Sequence, residues 1–149
     1  MDFKVEIPFV RMLGFELLRF EQGEAEIALP LRPELENSWG VAHGGVTMTL
    51  LDVAMAHAAR SIHADEPDFG PGVVTVEMKT SFMRPAEGRL RAEARLIHRS
   101  TTMAFCEASV LDADGHLCAH ATGTFKYLRA LPTPKSGVKL QRGNTAVKE

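Results

Sequence analysis

Hydrophobic and polar positions change period along the chain, and each change marks an element. Residues 6 to 13 form a short apolar segment, one or two helical turns long, that runs up to Gly14. Phe15 to Phe20 and Ala25 to Leu29 read as strands, joined by the turn Glu21-Gln22-Gly23-Glu24. Leu31 to Ala42 is rich in Pro, Asn and Gly and reads as a loop. From Val46 to Ser61 there is no proline and no glycine, and alanines recur at 54, 56, 58 and 59, so a long helix is expected. A polar loop through Asp65, Pro67, Gly70 and Pro71 follows it.

Beyond Gly72 the period becomes two. Val74, Val76 and Met78 alternate with Thr75, Glu77 and Lys79, and Leu90, Ala92, Ala94 and Leu96 alternate with Arg91, Glu93 and Arg95. Ala104, Cys106, Ala108 and Val110 share a face, as do Leu117, Ala119, Ala121 and Phe125. Such alternation marks antiparallel strands covered on one face. The small inward residues let a sheet close around a helix, so the expected fold class is α+β, a long central helix wrapped by a curved antiparallel sheet. From Pro132 onward the chain is polar and aperiodic. The expected organisation is one domain over residues 1–131 and a flexible polar tail over 132–149.

Composition narrows the function classes. A chain of 149 residues with 45% hydrophobic and 24% charged positions suits one globular domain. A net charge of −2 gives no general attraction to nucleic acid, and no aromatic–basic interleaving offers a platform for it. The longest apolar run carries Asp52 and His57 and is too short for a bilayer, so no membrane partner is expected. Met1-Asp2-Phe3-Lys4 lacks the features of a signal peptide, and a cytoplasmic protein is expected. Cys106 and Cys118 flank the turn Asp112-Ala113-Asp114-Gly115 without facing each other, which suits two reduced thiols.

The candidate chemistry lies in Asn37-Ser38-Trp39-Gly40-Val41-Ala42-His43-Gly44-Gly45 and in Asp52. Gly44 and Gly45 remove side chains from the first turn of the helix, where backbone N–H groups are free and the dipole favours an oxygen that is becoming negative. Asp52 stands among Leu50, Leu51, Val53, Ala54 and Met55, and a carboxylate among such neighbours tends to be desolvated. His43 and Asp52 are nine residues apart, about 13.5 Å along a helix and on roughly opposite faces. They cannot meet within one helix. Two antiparallel copies across a two-fold axis would bring Asp52 of one subunit to Gly44 of the other, which makes a homo-oligomer the expected state.

With these residues in place, the chain resembles the hotdog-fold thioesterases of the PaaI (phenylacetic acid degradation) type over roughly residues 10 to 128. The likeness rests on the Asn-x-x-Gly-x-x-His-Gly-Gly loop, the acid nine residues after the histidine, Val74-Thr75-Val76-Glu77-Met78, and Phe82-Met83-Arg84-Pro85-Ala86. The resemblance implies hydrolysis of an acyl-coenzyme A thioester, an aryl-acyl group being one option, with no metal or organic cofactor, in a dimer or tetramer. It implies that the Gly44 N–H polarises the thioester carbonyl and that Asp52 acts as base or nucleophile. Asn37 would sit at the carbonyl or the water, and Thr75 would hold the water or orient Asp52. His43 would shape the loop or assist Asn37. Gly45 and Trp39 would adjoin substrate, Trp39 alternatively packing at a subunit interface. Arg99, in His98-Arg99-Ser100-Thr101-Thr102, and Arg84 are the candidates for coenzyme A phosphates.

Two other readings remain in competition on this scaffold, a non-catalytic acyl-CoA sensor and a hydratase or dehydratase that pairs a histidine with an acid. His116, Cys118 and His120 fall at alternate positions, a spacing that would place them on one face of a strand within reach of a shared zinc ion. The resemblance implies no metal there. His57 and His63 have no evident partners in sequence.

Overall fold

The apolar stripe of the long helix organises everything around it. The computed structural model describes residues 1–129. In chain order they form helix α1 (Pro8–Leu13), strands β1 (Glu16–Glu21) and β2 (Glu24–Pro30), helix α2 (Gly44–Ser61), and strands β3 (Gly72–Phe82), β4 (Arg89–Arg99), β5 (Met103–Leu111) and β6 (Leu117–Leu128). The expected tail over 132–149 lies outside the described residues.

α2 buries Thr47, Leu50, Leu51, Ala54, Met55, Ala58 and Ala59, recurring at intervals of three and four. That stripe lies in the curve of one antiparallel sheet with strand order β1-β2-β4-β5-β6-β3. The result is the α+β hotdog architecture, with Leu17, Ile27, Leu29, Leu90, Val110 and Phe125 filling the space under the helix. Close approach is enforced at Gly123 on β6, where a Cβ would stand 2.9 Å from Phe125 and 3.1 Å from Met55. The far end of α2 is tied down by two hydrogen bonds. Tyr127 Oη donates to Ala59 O (2.7 Å), and Gly23 N donates to Ser61 Oγ (2.8 Å).

Local signals end the elements where the sequence places them. Gly14, at φ 79°, takes the left-handed conformation that closes α1. Gln22 and Gly23 both have positive φ, the signature of a two-residue hairpin between β1 and β2. β4 keeps its alternation, Leu90, Ala92 and Ala94 being buried between exposed charges.

β3 departs from the expected alternation. Thr75 pairs with Phe125 and Glu77 with Thr124, so Val76 is an extra, bulged residue. Thr75 therefore faces the helix with Phe125, while Glu77 faces outward and accepts a hydrogen bond from Thr124 Oγ1 (2.6 Å). A strict period of two would have put Thr75 and Glu77 on one face. β3 is also an edge strand, and Val74 (40%), Val76 (55%) and Phe82 (54%) are largely exposed on it. Leu117, grouped in sequence with the inward residues of β6, is exposed as well.

The His116, Cys118 and His120 triplet does not assemble. His116 lies in the turn before β6, with its N–H and ring directed to the Asp112 carboxylate (2.9 and 3.3 Å). Cys118 is buried with Sγ toward Pro85 O, and His120 faces Glu107 (3.4 Å). The Asp112 turn, which holds His116 before β6 begins, overrides the simple strand spacing. Cys106 and Cys118 are both free, Cys106 pairing with Gly123 across the ladder. Among the described residues no helix is long and apolar enough to cross a membrane.

Candidate active site

The mouth of α2 is built by the loop that leads into it. Asn37 Oδ1 accepts from Trp39 N (2.8 Å) and Val41 N (3.4 Å), and Asn37 N donates to Val41 O (2.8 Å). Asparagine is suited to closing such a turn through its own side chain. Gly40 completes it at φ 73°. Ala42 N then donates to Ala86 O, and His43 N to Leu35 O, which fixes the entry to the helix.

His43 is the N-cap of α2, with extended backbone angles (φ −60°, ψ 137°). Its Nδ1 accepts from Gly45 N (2.9 Å), and its carbonyl accepts from Val46 N (2.9 Å) and Thr47 N (3.1 Å). Among the described residues no group accepts from Gly44 N. Of the first-turn donors, Gly44 alone is left free, and Gly44 lines a cavity of about 600 Å³. Asn37, Trp39, Arg84 and Cys118 line it too. Trp39 is 86% exposed among the described residues.

Asp52 lies two turns further along α2, on the side facing β3. Thr75 Oγ1, just before the bulge at Val76, donates to Asp52 Oδ1 (2.7 Å). Partial burial pushes the Asp52 carboxyl above its ordinary range, while the Thr75 hydrogen bond works against that rise. The carboxylate is thus oriented and more basic than a solvated one. The hydrophobic neighbours in sequence contribute only indirectly: Leu50, Leu51, Ala54 and Met55 point into the core, and Asp52 leaves that stripe.

Within one chain these residues form two groups. Asn37, Trp39, Gly44 and Arg84 share the cavity at the helix mouth; His43 turns back on Gly45; Asp52 and Thr75 stand apart, outside the cavity lining. Gly44 and Asp52 are eight residues apart on one helix, about 12 Å of rise. Arg99 is placed elsewhere. It pairs with Ala104 at the β4–β5 hairpin, whose Thr102 O accepts from Tyr127 N, at the end of the sheet near the C-terminus of α2. The two candidate phosphate ligands therefore lie at opposite ends of the helix.

Sequence reasoning missed Cys118, Glu87 and Thr47 as cavity wall. Cys118 reaches the cavity because Met83 N and Arg84 N both donate to Cys118 O, folding the chain after β3 over the start of β6. No spacing in sequence reports such a crossover. His57 and His63 gain partners that the sequence did not indicate. His57 Nδ1 bonds Val53 O (2.7 Å) between Phe3 and Phe20, and His63 Nδ1 bonds Glu66 (2.6 Å). Neither belongs to the candidate site.

Comparison with known proteins adds an independent line. Residues 40–119, which hold the helix mouth, Asp52 and Thr75, match the family profile of the thioesterase superfamily. The medium/long-chain acyl-CoA thioesterase YigI of Salmonella typhimurium is 28% identical over 135 residues, covering 83% of this chain and 87% of that protein. A conserved protein of Pseudomonas aeruginosa superposes with a TM-score of 0.76 at 33% identity, over 84% of this chain and 97% of that one. A mutant of the phenylacetic acid degradation protein PaaI from Thermus thermophilus superposes with a TM-score of 0.71 at 30% identity, over 82% of this chain and all (100%) of that one. The chain belongs to the thioesterase superfamily, as a PaaI-type hotdog thioester hydrolase.

Proposed function

We propose that the protein hydrolyses acyl-coenzyme A thioesters at sites shared between two subunits. Gly44 N–H of one subunit receives the thioester oxygen, and Asp52 of the other acts on the carbonyl carbon. One observation carries this reading. The chain has an unclaimed amide at a helix N-terminus beside a cavity, and an oriented carboxylate of raised basicity that the same chain cannot bring to it. Antiparallel α2 helices across a two-fold axis unite the two halves. The unpaired edge of β3, with Val74, Val76 and Phe82 exposed, supports a second copy as the group that covers it.

Asp52 takes a proton from water, the resulting hydroxide adds to the carbonyl, and the oxyanion forms against Gly44 N–H. Collapse expels the thiolate, which recovers a proton. In the nucleophilic variant Asp52 adds directly, the thiolate leaves, and water opens the anhydride. A thiolate is a good leaving group, so neither course needs a strong general acid, a metal or an organic cofactor. Asn37 has Oδ1 committed to its own loop and offers Nδ2 to the carbonyl or the water; Thr75 orients Asp52. Gly45 permits close approach, Trp39 and Arg84 border the entering substrate, and Arg99 meets a phosphate of coenzyme A. The reducing cytoplasm suits the two free, buried cysteines.

The hydratase reading needs a histidine with a lone pair for the substrate proton. His43 Nδ1 already accepts from Gly45 N, so its neutral ring carries the proton on Nε2 and has no lone pair to spare. A non-catalytic sensor has no use for an oriented carboxylate of raised basicity. The test is thiol release from a panel of aryl-acyl and straight-chain acyl-CoA thioesters, by wild type and by Asp52→Asn. Hydrolysis that is lost in the variant supports the reading; wild-type inertness across the panel overturns it.

A further inference from the structure

We infer that His43 serves the reaction as a positioning residue, through the helix cap, and takes no proton from substrate. The inference rests on the role proposed for Gly44. A helix begins with four backbone donors that lack intrahelical partners. Here they are His43, Gly44, Gly45 and Val46: His43 N–H goes to Leu35 O, the His43 ring takes Gly45 N–H and its carbonyl takes that of Val46, while Thr47 N–H makes the first regular helical bond to the same carbonyl. The remaining donor is Gly44 N–H, at the cavity. A single residue thus selects which amide is offered to a ligand and holds the first turn in place behind it.

The same contact accounts for the two glycines separately. The imidazole lies against Gly45, where a Cβ would stand 3.1 Å from Nδ1 and 3.5 Å from Cε1 of His43. Glycine at 45 makes room for the cap. At Gly44 a Cβ would meet only the Phe82 ring, at 3.6 Å, an ordinary contact. Glycine at 44 is not demanded by packing within the chain; it keeps the face of the free amide open.

The cap also fixes the state of the ring. With Nδ1 accepting, the neutral imidazole must hold its proton on Nε2. Protonation of Nδ1 would replace the acceptor with a donor facing the Gly45 N–H and break the cap. The arrangement therefore requires neutral His43 in one tautomer, and that tautomer has no free lone pair with which to act as base.

Two measurements test this. The ¹⁵N shifts of the His43 ring, recorded without substrate near neutral pH, are expected to show the Nε2–H tautomer; an Nδ1–H tautomer overturns the inference whether or not any thioester is hydrolysed. Steady-state kinetics on the best acyl-CoA of the panel then compare His43→Ala with His43→Asn, asparagine being a good N-cap residue. Loss of the cap in His43→Ala is expected to lower kcat by about tenfold to a hundredfold, the scale of a misplaced oxyanion donor, with KM changed little. His43→Asn should recover most of that loss and keep the wild-type pH profile. If His43→Asn, folded and of wild-type oligomeric state, is as slow as His43→Ala, the ring itself takes part and the cap is not its function. If His43→Ala keeps wild-type kcat, the cap does not position Gly44.

Discussion

At the scale of single residues, Asp52 links stability to chemistry. Its folded carboxyl is more basic than in the unfolded chain because burial disfavours the charge more than Thr75 supports it. A raised acid contributes stability that is present below the unfolded value and lost as pH rises through the folded one. At neutral pH the ionised Asp52 is therefore a cost to the fold. Asp52→Asn should raise the melting temperature at pH 7, and the gain should vanish in acid, while kcat falls roughly 10²–10⁴-fold. A variant that loses activity and stability together would contradict this assignment. Thr75→Val removes the one hydrogen bond that lowers the Asp52 value. The acid limb of kcat/KM should move to higher pH in that variant, and an unmoved or lower limb would separate Thr75 from Asp52 in function.

At the scale of elements, the bulge in β3 puts Thr75 and Glu77 on opposite faces. Without Val76, Thr75 and Glu77 are consecutive and stand opposite Phe125 and Thr124 as they already do, so regular alternation keeps Thr75 inward and Glu77 outward. Deletion of Val76 should therefore leave the circular dichroism spectrum nearly intact and keep the Thr75–Asp52 contact and most activity. Loss of most kcat in a folded deletion variant would contradict this register. The bulge also explains what the sequence could and could not disclose. α2 was legible from its alanines and its lack of proline, β4 from its alternating charges up to Leu96, and β5 from its alternating small apolar residues, because each keeps one period over that stretch. β3 breaks its period at Val76, and nothing in Val74-Thr75-Val76-Glu77 announces the break. The His116, Cys118 and His120 spacing forms no cluster for a related reason: His116 is held by the Asp112 turn before the strand begins. The helix mouth was readable as a glycine-rich helix start. The commitment of Gly45 N–H to His43 was not, since it depends on the rotamer of one imidazole.

At the scale of the whole molecule, a single chain holds both halves of the candidate site without joining them. Gly44 is the first residue of α2, a position where proline is tolerated because its missing N–H has no helical partner. The preceding His43 already has the extended angles that proline requires of its neighbour. Gly44→Pro therefore deletes the one amide assigned to the oxyanion and leaves the helix start otherwise suited to the fold. Alone it should lose roughly 10²–10³-fold in kcat. Combining it with Asp52→Asn distinguishes a shared site from a site within one chain. A heterodimer of the two variants has one site bearing both lesions and one bearing neither. After free exchange of equal amounts, half the dimers are mixed and half of their sites are intact, so about a quarter of wild-type activity should return from two inactive stocks. If each site lay within one chain, every site would carry a lesion and the mixture would stay inactive. Recovery near a quarter, with heterodimers verified by mass, is the expected result; inactivity despite verified heterodimers would mean that Gly44 and Asp52 do not serve a common site across the two-fold axis.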